Sequence, residues 1–336
     1  MHDKPIIAIA PGDAAGIGPE ISLKAALDPA ANGACRPVLV SDPALLERHA
    51  KACGIAVDLR PIERISDAVW SDGRLNVLAT PSPEAAALDF GVTYAASGSA
   101  SLAFGRRAIH AALAGDVDAV VAAPQNETAI ALAGIAFDGH PSFVARETGT
   151  DENDVYMMLC VGELKIAHAT LHQSVRQAIA SITQDKVQRV IRATDRTLKQ
   201  LGIEQPRVAV SGLNPHAGEG GLFGSEEIEI IRPVIDALAV EGYGVTGPFG
   251  ADTMFHKQDV DAFIVMLHDQ GHVPAKLLAP HATIAMTIGT PILFASVAHG
   301  SAHDIAGKGV ADPKAMIEAV LLLSKVTRKV ARPQRA

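Results

Sequence analysis

The strongest constraint on this fold is an alternation along the chain. Short runs rich in Val, Ile, Ala and Leu recur through the 336 residues, separated by longer runs with helical spacing. Strands are expected at 6–10, 37–41, 75–79, 119–122, 154–160, 164–170, 207–210, 262–267, 283–287 and 292–297. Helices are expected at 18–26, 43–54, 99–115, 141–148, 174–201, 225–241 and 313–330. Alternation of this kind gives an α/β fold with a mostly parallel sheet and helices on both faces. Apolar residues make up 48% of the chain and aromatics only 4%, which suits strands covered on both sides. The run 174–201 is too long for a typical helix; Ser181-Ile182-Thr183-Gln184-Asp185 breaks it, with Thr183 placed as the N-cap of a second helix. A single core stops growing near ~250–300 residues. Because no Gly/Ser/Pro linker separates independent halves, two subdomains around one sheet are expected, 1–138 with 288–336 and then 139–287.

Several function classes are excluded early. The formal charge is −8 and no basic stripe occurs, so nucleic acid is not an expected partner. Cys35, Cys53 and Cys160 form no CxxC pair, which argues against a disulfide framework or a thiolate zinc site and leaves each as a small buried residue. The start, MHDKPIIAIA, is acidic at once and runs into a strand, unlike a signal peptide. No apolar run reaches the ~18 residues a membrane span needs. A soluble cytoplasmic protein is expected, with its one basic segment in the tail 328–336. A G-x-S-x-G elbow, a Walker A loop, an H-E-x-x-H helix and a kinase signature are all missing from the sequence.

Chemistry-bearing residues gather where strands end. The segment Pro11-Gly12-Asp13-Ala14-Ala15-Gly16-Ile17-Gly18-Pro19-Glu20 joins a strand to a helix; it is either an anion-approaching loop or a plain tight turn. Its glycines read G-x-x-x-G-x-G, so the dinucleotide fingerprint fails. Three histidines follow three strand runs: His172 after Ala169-Thr170-Leu171, His216 within Gly212-Leu213-Asn214-Pro215-His216-Ala217-Gly218-Glu219-Gly220-Gly221, and His268 after Met266-Leu267. Each alone could be a loop histidine with one hydrogen bond. Together they match three protein ligands with an open metal position, and Asp269 could orient one of them. His140 opens a helix and either touches substrate or caps it. His299 and His303 fall in a Gly-rich loop, where a solvated turn is the plain expectation. His2, His49, His110, His256 and His281 are expected at the surface, and His168 inside a strand.

The motifs Gly12-Asp13-Ala14-Ala15-Gly16-Ile17-Gly18-Pro19-Glu20, Asn214-Pro215-His216-Ala217-Gly218-Glu219-Gly220, His268-Asp269-Gln270-Gly271 and Ser296-Val297-Ala298-His299-Gly300 resemble the 4-hydroxythreonine-4-phosphate dehydrogenase family of pyridoxine biosynthesis, from about residue 5 to 327. The resemblance implies an isocitrate and isopropylmalate dehydrogenase type of fold, with NAD or NADP in a cleft that lacks the usual fingerprint. It implies a divalent metal, zinc first, on His172, His216 and His268. It implies substrate contacts at His140 and Lys276 and polar active-site roles for Asp252 and Asp269. It implies a homodimer in which the third histidine comes from the partner chain. Cofactor contacts are expected at His299 and Gly300 and at Gly218 and Gly220.

This chain departs from the pyridoxine pattern at informative positions. Ala285 and Phe294 stand where that branch has an asparagine and an arginine for phosphate; Pro141 replaces a threonine, and Glu127 stands in a segment that carries a lysine there. Losing a bidentate phosphate donor and gaining an apolar ring suits a cyclic carbon skeleton. Pro124, Glu127-Thr128-Ala129-Ile130 and His268-Asp269-Gln270-Gly271-His272, followed by Lys276-Leu277-Leu278-Ala279-Pro280, are similar to the terephthalate dihydrodiol dehydrogenases. His272 and Lys276 are then expected on a substrate carboxylate, with Phe294 and Glu127 lining the pocket and Lys276 or a bound water as base. The implied activity is oxidation of a hydroxyl β to a carboxylate, with decarboxylation. The alternatives are a phosphorylated substrate (4-hydroxythreonine 4-phosphate or a sugar acid) and a non-catalytic metal- or ligand-binding protein.

Overall fold

The computed structural model describes residues 4–71, 73–279 and 283–326. His2, His281 and the tail 328–336 lie outside them, as does Pro280 of the Lys276–Pro280 motif. Among the described residues the strands are β1 (Ile6–Ala10), β2 (Arg36–Ser41), β3 (Asp58–Ile62), β4 (Arg74–Ala79), β5 (Ala119–Ala122), β6 (Tyr156–Val161), β7 (Leu164–His168), β8 (Arg207–Ser211), β9 (Gly244–Phe249), β10 (Ala262–Val265), β11 (Ile284–Ile288) and β12 (Phe294–Val297). The fold is mixed α/β with mostly parallel strands. The chain divides into two compact units, 1–148 with 291–336, and 149–290.

In the first unit the strand order is β3-β4-β2-β1-β5-β12, and every neighbouring pair is parallel. Strands β1 and β5 are buried along their whole length, as uninterrupted aliphatic runs between helical layers should be. Helix His140–Thr148 belongs to this unit. Its Phe143 lies against Gly105 of helix Ala95–Leu113, and Glu147 pairs with Arg106 at 2.8 Å.

In the second unit the order is β11-β6-β7-β10-β8-β9. The pairs β11-β6 and β6-β7 are antiparallel, whereas β7-β10-β8-β9 is parallel. The core here is Leu159, Ile166, Ala209, Met254, Phe263, Val265 and Ala275. The long run after His172 is two helices, Val175–Ser181 and Gln184–Gln200, and the Thr183 side chain caps the second by accepting from the Lys186 backbone N–H at 3.2 Å.

Several elements fall outside the sequence reading, among them the short helices Pro29–Ala34, Pro83–Ala86 and Glu127–Leu132. Strands β3 and β9 are edge strands and contain Pro61 and Pro248; charge and proline are characteristic of edge strands and erase the apolar pattern. Helix His268–Leu278 contains Gly271 and Pro274, two helix breakers, yet it forms directly after β10. The segment expected at 225–241 starts as a π turn, Glu227–Ile231, before helix Arg232–Val240.

Candidate active site

Strands β7, β10 and β8 are adjacent and parallel, so the segments leaving their carboxyl ends emerge along one edge of the second unit. These segments carry His172, His268 and His216. Open α/β sheets place ligands at such edges. Two ties hold the first two segments together: Ala169 N–H donates to the Val265 carbonyl at 2.9 Å, and the Thr170 hydroxyl donates to the Met266 carbonyl at 2.7 Å. The His172 and His268 rings lie 5.8 Å apart. His268 Nδ1 faces Asp269 Oδ1 at 2.7 Å, which turns Nε2 outward in the manner of a metal-bound imidazole backed by a carboxylate.

His216 sits on a distorted loop. His216, Ala217, Gly218, Glu219 and Gly220 all have positive φ, a run that disfavours non-glycine residues by ~1–2 kcal/mol each. Buried Glu227 stabilises it: one carboxylate oxygen accepts from the N–H groups of Leu213 and Asn214, each at 2.7 Å, and the other accepts from Asn214 Nδ2 at 2.9 Å. Gly250 separates this loop from Asp252, since a Cβ on Gly250 would lie 2.6 Å from Asp252 Oδ1 and 3.5 Å from the His216 Cα. His216 does not join the other two imidazoles: among the described residues no three His, Cys, Asp or Glu groups of one chain form a metal-binding set.

Behind His268 lies a histidine stack that the sequence does not announce. His272, one turn along the helix, stacks on His268 with ring centroids 3.7 Å apart and planes inclined 12°. Its Nδ1 is 3.1 Å from Nε2 of His168, which is fully buried in β7. Gly271 is needed here, because a Cβ would strike that same His168 nitrogen. Desolvation and the neighbouring His268 push His272 down to about 4, and desolvation pushes His168 down to about 3. Lys276 stands one further turn along the same helix face.

In the first unit, His140 and Phe294 meet with ring centroids 5.3 Å apart, and Phe294 is wholly buried. Desolvation pushes His140 down to about 4 and its buried Nδ1 has no hydrogen-bond partner among the described residues. Glu127 is exposed at the start of helix Glu127–Leu132, capped by Asn126. Gln125, which the sequence reading passed over, has both side-chain amide atoms buried with no hydrogen-bond partner among the described residues. Only a fold shows such an orphan, since its type and neighbours give no signal.

The glycines of the 11–20 segment serve backbone packing. A Cβ on Gly12 would meet the Pro124 carbonyl, one on Gly16 would meet Ser301, and one on Gly18 the Pro11 carbonyl. Asp13, 1% exposed, accepts from the Ser97 hydroxyl and the Ala15 N–H and faces His303 Nε2 at 2.6 Å. His303 is thus part of a buried polar cluster with Asn126, not the solvated turn expected for it. His299 and Gly300 are in the same loop, with His299 Nδ1 3.1 Å from the Gly300 carbonyl. Gly218 and Gly220 lie in the other unit, on the left-handed loop. His49 also corrects its expectation: it is buried, 2.9 Å from the Ala14 carbonyl, because helix Pro43–Ala52 turns that face onto the Gly-rich turn. Cys35 and Cys160 are buried; Cys53 is only half-buried, its thiol donating to Glu20 at 3.3 Å.

The family model for the pyridoxal phosphate biosynthetic protein PdxA matches residues 33–323. The chain belongs to the PdxA family. A crystal structure of a 4-hydroxythreonine-4-phosphate dehydrogenase from Burkholderia phymatum is 39% identical with a TM-score of 0.88, covering 97% of this chain and 99% of that one. A terephthalate 1,2-cis-dihydrodiol dehydrogenase structure from Burkholderia xenovorans is 42% identical with a TM-score of 0.74, covering 96% and 99%. A D-threonate 4-phosphate dehydrogenase of Cupriavidus necator is 40% identical over 321 residues, 94% of this chain and 95% of that protein. This PdxA-family chain is therefore a dehydrogenase of small molecules. Among the described residues no helix is long and apolar enough to cross a membrane.

Proposed function

We propose that this PdxA-family dehydrogenase oxidises 1,2-dihydroxy-3,5-cyclohexadiene-1,4-dicarboxylate and releases CO₂ to give 3,4-dihydroxybenzoate. The observation that carries the reading is Phe294, buried against His140, with Ala285 in place of an amide. A phosphate ester calls for bidentate cationic donors, and these two positions supply none. The Burkholderia xenovorans relative, named for terephthalate dihydrodiol, supports the same substrate class.

The donor set fits a divalent cation: His172 and His268 are neighbours, His268 has its carboxylate partner, and all three imidazoles leave one sheet edge. Zinc suits three imidazoles with an open position. When bound, the metal would supply Lewis-acid polarisation of the substrate oxygens, and NAD or NADP would take the hydride. The chain's own residues do the rest. Asp269 fixes the His268 ring. His140, kept neutral by burial, is the candidate substrate-binding imidazole of the first unit. His272 and Lys276 face the carboxylates, with Lys276 or a water it holds taking the hydroxyl proton. Asp252 adds a polar group beside the His216 loop. In the first unit Glu127 is a candidate substrate contact and His299 and Gly300 are candidate cofactor contacts; in the second unit Gly218 and Gly220 are candidate cofactor contacts.

A second copy of the chain completes the metal site. Among the described residues one chain does not bring three such ligands together. Helix His268–Leu278 also exposes Val273, Leu277 and Leu278 at 52%, 79% and 66%, an apolar face suited to a homodimer contact.

The deciding experiment compares NADH formation with the cyclic diol and with D-threonate 4-phosphate or 4-hydroxythreonine 4-phosphate, with zinc present. Turnover of the diol at least a hundredfold more efficient is expected. Preference for a phosphate ester would give the assignment to the second reading, which several relatives named for D-threonate 4-phosphate favour.

A further inference from the structure

We infer that Lys186 is the specificity cation for the distal, retained carboxylate of a dicarboxylate substrate. The inference rests on the proposed substrate class and adds a residue that neither the motifs nor the family resemblance singles out.

A cavity of about 180 Å³ opens in the second unit beside His172, lined on its inner side by Tyr156, His168, Ala169 and Thr170, with Lys186 also in its wall. An apolar cavity of about 150 Å³ takes up benzene, so the volume suits a single six-membered ring. Lys186 belongs to the first turn of helix Gln184–Gln200, where the Thr183 cap fixes its backbone. Its side chain is half-buried, and desolvation lowers its pKa. Among the described residues its Nζ makes no ion pair or hydrogen bond; the neighbouring Asp185 is bonded to Arg189 at 2.7 Å. Among the described residues lining the cavity the carboxylate is Glu152, which is exposed.

A desolvated ammonium without a counter-ion is costly unless an anion arrives to pair with it. The cavity is lined both by this cation and by a candidate metal ligand, His172. A ring acid held at the metal by one end would reach Lys186 with the other. The reacting carboxylate is lost as CO₂, so the group on Lys186 is the one that remains on the product. A lysine suits this task because it pairs as a point charge and imposes no bidentate geometry.

The test uses zinc-loaded protein and two non-reacting acids, terephthalate and benzoate, with binding measured by calorimetry. Wild type is expected to bind terephthalate at least tenfold more tightly than benzoate. Lys186→Met should abolish that preference while leaving benzoate affinity unchanged, and Lys186→Arg should retain most of it. The assignment is overturned if wild type shows no preference, or if Lys186→Met keeps it. Diol-linked NADH formation by wild type is read separately: its absence, with a Lys186-dependent preference intact, would sink the substrate reading and leave the dicarboxylate site standing.

Discussion

The side-chain amide of Gln270 donates to the carbonyl of Gly212 across 3.1 Å. Its oxygen accepts from the N–H groups of Met266 and Leu267, both at 2.9 Å. One amide thereby ties the loop that carries His216 to the turn that carries His268. Gln270→Glu keeps the acceptor but sets an oxygen against the Gly212 carbonyl. Zinc affinity should fall about 10–100-fold, the usual effect of losing an outer hydrogen bond around a metal site. Competitive zinc titration of folded wild type and variant measures this; equal affinities would remove Gln270 from the site.

The left-handed loop should be sensitive at one glycine and tolerant at another. Gly218 has φ +77°, and a Cβ there would lie 2.7 Å from Glu227 Oε2, whereas Gly220, φ +68°, faces open space. Gly218→Ala should therefore destabilise by about 2–3 kcal/mol and Gly220→Ala by about 1 kcal/mol. Urea unfolding gives both values, and a larger loss at Gly220 would contradict the role assigned to Glu227.

Acid should weaken the first unit through His49. Burial pushes this imidazole from 6.5 down to about 4. Between those values the unfolded chain binds a proton that the folded chain refuses. The contribution of neutral His49 is thus complete above pH 6.5, declines as pH falls toward 4, and then levels off. The loss at the acid end is on the order of 3 kcal/mol. His49→Gln keeps a donor for the Ala14 carbonyl but cannot titrate, so its melting temperature should fall less than that of wild type between pH 7 and pH 4.5. Parallel curves would refute the assignment.

Removal of metal by a chelator should abolish turnover, and zinc should restore it. His172→Ala, His216→Ala and His268→Ala should each bind zinc at least a hundredfold more weakly. If the site is shared between two chains, co-expressing two different variants should restore activity for those pairs whose lesions fall on opposite chains of one site, and not for pairs on the same chain. No recovery from any pairing would refute the shared site.

The parallel strands were legible because buried β1, β5 and β10 are unbroken apolar runs, and periodicity is a local property of the chain. The cap at Thr183 was legible for the same reason: a hydroxyl and an N–H three residues on are near neighbours in any helix start. The motifs around His172, His216 and His268 stood out because glycines and polar residues interrupt those runs at their carboxyl ends. Chain order, however, says nothing about which strands lie side by side. Neighbouring β7, β10 and β8 are separated by whole helices, and their adjacency brings His172 to His268 while leaving His216 apart. The burial of His49, the stack of His168, His272 and His268, the orphaned amide of Gln125 and the desolvation of Lys186 are likewise products of packing. A side chain's environment comes from residues distant in sequence, so a linear pattern can name chemical groups but not the dielectric or the partners in which they work.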